Sequence, residues 1–253
     1  MEQRYSRNRI YLTEGEQKLI QTTPILLGGA GIGSVIAECL VRFGFETITL
    51  IDGDVVELSN LNRQNYVERD VSTPKVDALK NRLIAINSNA KITTHNCFIT
   101  PDTVQSFVVG HAIAINALDF TSDVPLLFDR ICQENKVPVL HPYNLGWGAL
   151  LMVIPENTGL DSLREADRPF NEVSVVQYVS DYMRQKGNVQ NWLDETIKKY
   201  REEEHQLPPP QLSIASWLVA GICTQVIFDL VTERPVRKFP EFYLTVNKDI
   251  GAV

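Results

Sequence analysis

Apolar and polar residues along the first 140 positions of this chain alternate between two periods. Ile25-Leu26-Leu27 is a short apolar run, suited to a buried strand. From Ser34 the spacing lengthens: Val35, Ile36, Cys39, Leu40 and Phe43 share a helical face, and Gly44 follows as a C′ residue. Residues 47–51 are again near-continuously apolar, as a strand covered on both faces should be. Ser72-Thr73-Pro74 predicts a helix start, with a hydroxyl cap and proline in the first turn, before Val76, Leu79, Leu83 and Ile86 recur at helical spacing. Further strands are predicted over 91–98, 112–118 and 137–140, with a short helix after Pro101 and another over 124–134. Such alternation predicts an α/β fold with a doubly wound, Rossmann-like, mainly parallel sheet.

Beyond residue 140 the pattern changes. Residues 149–154 predict another strand, antiparallel to its neighbour. Residues 155–210 are mixed and polar, carry a charge run from Lys198 to Glu204 that reads as a solvated helix face, and end in Pro208-Pro209-Pro210. Residues 213–231 read as a buried C-terminal helix, because Thr224, Gln225 and Asp229 interrupt a stretch too short for a membrane span. Residues 241–247 alternate Phe242, Leu244 and Val246 with polar positions, a last antiparallel strand.

Composition is that of a globular protein: 44% apolar and 22% charged residues. A net charge of −7 speaks against a nucleic-acid partner and fits a protein partner better. The N-terminus does not lead into a signal-peptide apolar region, so the cytoplasm is the expected location, without membrane attachment. Cys39, Cys97, Cys132 and Cys223 form no Cys-x-x-Cys pair; they read as buried thiols, and no zinc is expected. His95, His111, His141 and His205 share no ligand spacing and read as structural.

The chemistry-bearing residues cluster early. Gly28, Gly31 and Gly33 lie between an apolar strand and an amphipathic helix, where backbone N–H groups can hold phosphate. Asp52 follows nineteen residues after Gly33, at the strand edge where such sheets hydrogen-bond a ribose, and Asp54 sits beside it. Asn60, Arg63 and Gln64 add two amides and a guanidinium that a dehydrogenase does not need. Lys75 falls in the first turn of a helix, where the dipole disfavours a cation unless an anion compensates. Asp119 ends the fourth strand, and a carboxylate there suits Mg²⁺.

In order, Arg4-Tyr5-Ser6-Arg7, the glycine turn, Asp52-x-Asp54, residues 59–64, Pro74-Lys75 and Asp119 resemble the ThiF/MoeB/HesA adenylyltransferases of the ubiquitin-activating superfamily. The similarity is close over residues 4–155 and looser beyond. It implies one adenylation domain over 1–253: an N-terminal arm (1–22), a nucleotide-binding core (23–154), a crossover segment that guides the substrate's tail (155–210) and a C-terminal helix and strand (211–253). It further implies ATP and Mg²⁺ as cofactors and activation of a carboxylate as an acyl adenylate. The expected substrate is the C-terminus of a small ubiquitin-like or sulfur-carrier protein. By resemblance, Gly28, Gly31 and Gly33 approach the phosphates and Asp52 the ribose. Asn60, Arg63 and Lys75 meet the triphosphate, Asp119 engages magnesium, and Arg7 reaches the neighbouring site of a homodimer.

Three departures stand out. Ala30 takes the place of the family's middle glycine, which predicts a backbone set slightly back from phosphate. Phe120 follows Asp119 where many relatives have asparagine. Residues 155–210 contain no cysteine, which implies adenylation without a thioester on this chain. Three other readings stay open: an NAD(P)-dependent oxidoreductase, which leaves Arg7, Arg63 and Lys75 unexplained; a relative that activates a small or tRNA-borne carboxylate; and a catalytically silent dimeric nucleotide-binding module.

Overall fold

The computed structural model describes residues 2–164, 170–203 and 207–246. His205, Glu204 of the charge run and Asn247 of the last strand lie outside the described residues. The chain opens with a 3₁₀ turn, Gln3–Asn8, and helix α1 (Glu14–Thr22). Thr13 and Glu16 close a capping box at the start of α1. There follow β1 (Pro24–Gly28), α2 (Ile32–Phe43), β2 (Thr47–Ile51), α3 (Lys75–Ile86), β3 (Lys91–His95), α4 (Val104–Val108), β4 (Ile113–Asn116) and α5 (Val124–Glu134). The chain continues through β5 (Val139–Asn144), β6 (Gly148–Ile154), α6 (Glu172–Gln185), α7 (Asn191–Glu202), α8 (Ser213–Val231) and β7 (Tyr243–Val246).

The seven strands form one sheet in the order β3-β2-β1-β4-β5-β6-β7. β3, β2, β1, β4 and β5 are parallel; β6 runs antiparallel to β5, and β7 to β6. Alternation along the strands feeds two cores. Ile25 and Leu27 of β1 face α2 and α8 with Leu40, Val76 and Ile227, while Leu26 faces the other side with Phe128, Val139 and Val175. Chain order reverses between β1 and β4, so their carboxyl ends open a crevice at the switch point.

Several predicted boundaries move. The third strand stops at His95 rather than 98, and the fourth at Asn116 rather than 118. Asp119 therefore lies in the loop beyond β4. The fifth starts at Val139 and runs on to Asn144 because the antiparallel β6 extends its ladder. Pro74 is the residue before α3 rather than in its first turn, and no hydroxyl caps that helix. Ser72 instead takes a left-handed backbone, φ 71°. The crossover contains two helices, α6 and α7; Lys198–Glu202 of the charge run lie on α7, as their reading as a helix face implied, while α6 was not expected. Helix α8 is long and apolar enough to cross a membrane, contrary to the sequence reading; half of it is buried, against α2, β5 and β6.

Candidate active site

The turn after β1 owes its shape to Gly29. Its φ is +93°, and a Cβ there would lie 2.2 Å from the Ala117 carbonyl oxygen, so only glycine fits. Gly31 precedes α2 and offers no side-chain cap. The first N–H groups of that helix are therefore uncovered by any side chain, and Gly29, Gly31 and Ile32 all line the crevice. Gly28 and Gly33 do not line it. A Cβ on Gly33 would meet Leu27 at 2.5 Å, so Gly33 lets α2 pack on β1, and Gly28 is covered by Ile99 and Leu118. Gly29 is the residue the sequence reading missed; the Gly-Gly pair was its signal.

Ala30 does not set the turn back. Its methyl belongs to the core and is absent from the crevice wall. Its N–H donates to Asp52 Oδ2 at 2.6 Å, and its carbonyl accepts from the Tyr66 hydroxyl at 2.8 Å. Burial, and after it the charge of Asp52, pushes the Tyr66 phenol well up, so it stays a neutral donor. Asp52, one residue beyond β2, also accepts from Asp54 N–H at 2.8 Å. Each of its oxygens thus keeps acceptor capacity for a ligand.

Lys75 opens α3, and the anion that compensates it is on the chain. Its Nζ lies 2.9 Å from Asp54 Oδ2, with the lysine buried and the acid half exposed. Arg63 donates through Nε to Gln211 Oε1 (2.6 Å) and through Nη1 to Ser59 O and Asn62 Oδ1 (2.8 and 2.9 Å). Asn60 Oδ1 accepts from Glu57 N–H at 3.1 Å. Gln64 Oε1 is buried with no partner among the described residues, an acceptor open to a donor. Beneath this loop, Asn65 N–H donates to Ser34 Oγ, and its side chain to Glu38, which also accepts from Arg82 and Arg42. Burial opposes ionisation of Glu38, yet the two arginines hold its carboxyl below the usual range.

Asp119 is open to the crevice and takes no hydrogen bond among the described residues. Its depth among protein atoms, then the charge of Glu172, raises its carboxyl above the usual range, while Lys75 pulls it down. No group of three His, Cys, Asp or Glu gathers among the described residues. A divalent cation here would thus share Asp119 with phosphate and water oxygens, an arrangement that fits Mg²⁺. Arg7 is exposed in its 3₁₀ turn and lies outside the wall of this crevice.

The crevice holds about 970 Å³, room for a nucleotide and a second group. Its far wall comes from Glu172 and Val176 of α6, Ile197 and Tyr200 of α7, and Pro208–Pro210, all within the segment 155–210 expected to guide the substrate, though none was singled out there. His141, read as structural, and Cys97, read as a buried thiol, also line it, and Cys97 and Cys39 are only partly buried.

A parallel sheet with a glycine turn, an acid at the second strand end and cations on the following loop defines a nucleotide-binding α/β protein. The chain belongs to the ThiF family, which matches it over residues 5–248. It is 34% identical over 134 residues to tRNA threonylcarbamoyladenosine dehydratase of Escherichia coli, covering 52% of this chain and 50% of that protein. It is 30% identical over 162 residues to the sulfur carrier protein ThiS adenylyltransferase of Bacillus subtilis, covering 61% and 48%. The chain thus spans about half the length of these curated relatives. The solved structure of E. coli MccB with ATP matches with TM-score 0.69 at 19% identity, covering 96% of this chain and 70% of that one, a likeness of fold.

Proposed function

We propose that the protein is an ATP-dependent adenylyltransferase that activates a carboxylate as an acyl adenylate and releases pyrophosphate. The observation that carries this reading is one crevice combining an uncapped helix N-terminus, a carboxylate free of hydrogen bonds at Asp119, and the cations Arg63 and Lys75. Attack of one anion on another requires such neutralisation, and the nucleophile needs no base because it is ionised near neutral pH.

In this reading the N–H groups of Gly31 and Ile32 receive the phosphates, and Asp52 receives the ribose. Lys75 leaves Asp54, and Arg63 leaves Gln211, to meet the triphosphate beside Asn60 and Gln64. Asp119 holds Mg²⁺, whose role is to draw charge from the phosphate oxygens. Arg7 serves the site of a second copy in a homodimer. The carboxylate is the C-terminus of a small ubiquitin-like or sulfur-carrier protein, in keeping with the B. subtilis relative, and its tail enters beneath α6 and α7. The E. coli relative favours a second reading, a tRNA-borne small carboxylate, against which the net charge of −7 weighs.

Pyrophosphate–ATP exchange tests the proposal, run with carrier proteins ending in Gly-Gly and with threonylcarbamoyl-adenosine RNA. Exchange with the carriers is expected. Exchange with the RNA alone selects the second reading, and none with any carboxylate leaves a silent nucleotide-binding module. Thermal stabilisation by NAD and not by ATP–Mg²⁺ would return the chain to the oxidoreductases.

A further inference from the structure

Across the crevice from the glycine turn, β5 and α5 hold a polar group that adenylation does not use. His141 is 1% exposed, and its Nε2 lies 2.7 and 2.8 Å from the two oxygens of Asp129. A carboxylate only accepts, so Nε2 donates to it, and in the neutral imidazole Nδ1 is the acceptor. Asn116 fixes the acid from behind, donating to Asp129 Oδ1 at 2.8 Å and to the Pro125 carbonyl at 2.9 Å. The Nδ1 lone pair meets only the Tyr143 hydroxyl, at 3.5 Å, the limit of a hydrogen bond. Burial, and then the charges of Asp129 and Glu172, keep that phenol well above its usual range, so it remains an O–H.

Phe120 and Tyr143 lie nearly parallel to the imidazole, at 6.0 and 6.2 Å between ring centroids, and all three rings line the crevice. His141 lines the crevice although its side chain is 2% exposed, and among the described residues Nδ1 has only the long contact to Tyr143. An imidazole with a carboxylate behind it and a lone pair in front is the arrangement of a general base. In the same compartment Glu172 accepts the Phe120 N–H at 3.1 Å and makes no ion pair among the described residues, so it is available to a cation.

We infer that this cavity also consumes the adenylate: an amine enters beside Glu172, and His141 accepts its proton as it attacks the acyl carbon. The inference rests on the adenylation reading. The ammonium form gives its first proton to water. The nitrogen lone pair then forms the C–N bond, the C–O bond to phosphate breaks, and its electron pair leaves on AMP. The second proton passes to His141 Nδ1, and Asp129 holds the resulting imidazolium through Nε2–H. The product is an amide.

The test is ¹⁵N and amide NMR of the whole chain with 5′-O-(N-acetylsulfamoyl)adenosine, an inert mimic of an acyl adenylate, the His141 signal being assigned by its loss in His141→Gln. The mimic should shift the Gly29 and Gly31 amides and an unprotonated His141 Nδ1; methylammonium added next should move Nδ1 again, and acetamide should not. A protonated Nδ1, or one that stays still while the glycines move, overturns the base and leaves adenylation standing. An equal response to acetamide overturns the amine. Unmoved glycines overturn the adenylate reading itself, and this inference with it.

Discussion

The wall formed by the Gly29–Ile32 turn and residues 52–54 is held by backbone groups, whereas the wall formed by α6, α7 and Pro208–Pro210 is held by side-chain packing. On the first, Gly29 N–H meets Ile51 O at 2.9 Å, Ala30 N–H meets Asp52, and Asp54 N–H meets the same carboxylate. On the second, Val175, Val179, Leu193 and Ile197 pack into the core beside Phe242. A backbone-defined wall has one geometry and suits a ligand part that never varies. A wall of apolar side chains on two helices can change shape by substitution.

The largest break in this comparison falls at Asp119, which stands between the walls. Asp119→Ala should lower pyrophosphate exchange by about 10²- to 10³-fold, the scale of losing one preorganised electrostatic group, with the circular dichroism spectrum unchanged. Unchanged turnover would remove Asp119 from the site. Gly29→Ala should come next, destabilising by ~3 kcal/mol or more in urea unfolding, since the backbone is left-handed and the new methyl meets a carbonyl. A variant as stable as the parent would show that the turn is not rigid.

Leu193→Ala should cost about 2–4 kcal/mol through the cavity it leaves, and hydrogen exchange should quicken in α6 and α7 while ATP affinity changes less than about threefold. Collapse of ATP binding would mean that the walls are not separable. The smallest effect concerns pH. The folded protein holds the Asp119 carboxyl above its unfolded value, so ionising it costs stability. That cost is absent below the unfolded pKa and appears as pH rises through the folded one. Nucleotide-free Asp119→Asn should therefore melt higher than the parent at neutral pH, the gap closing in acid; a gap of opposite sign contradicts the raised carboxyl.

The same division explains what was legible in the sequence. Residues 47–51, 124–134 and 213–231 were read to the residue, because buried strands and core helices write their burial as local period. The first wall was legible because its residues lie on short loops at strand ends. Even there, Gly28 and Gly33 were taken for ligand-facing glycines when they serve packing, since a sequence does not distinguish a glycine that clears room for Leu27 from one that clears room for phosphate. The pairing of Lys75 with Asp54 was missed for a related reason: the helix dipole signals that an anion is needed but not whose.

The second wall was legible only as a segment, 155–210, expected to guide the substrate's tail. Arg63 meets Gln211 across 148 positions of chain, and His141 meets Asp129 from a different element; neither pair has a spacing that sequence could reveal. Of the segment's two helices, α7 was read only in part, as the solvated face of the run from Lys198, and α6 was not read although Val175 and Val179 recur at helical spacing.

The most direct measurement is a crystal structure of the protein soaked with a non-hydrolysable ATP analogue and Mg²⁺. The account predicts the triphosphate on the N–H groups of Gly31 and Ile32, the ribose on Asp52, and Lys75 and Arg63 swung from Asp54 and Gln211 onto phosphate, with the metal on Asp119. An empty crevice, or one that accepts a nicotinamide dinucleotide in place of the triphosphate, would contradict it.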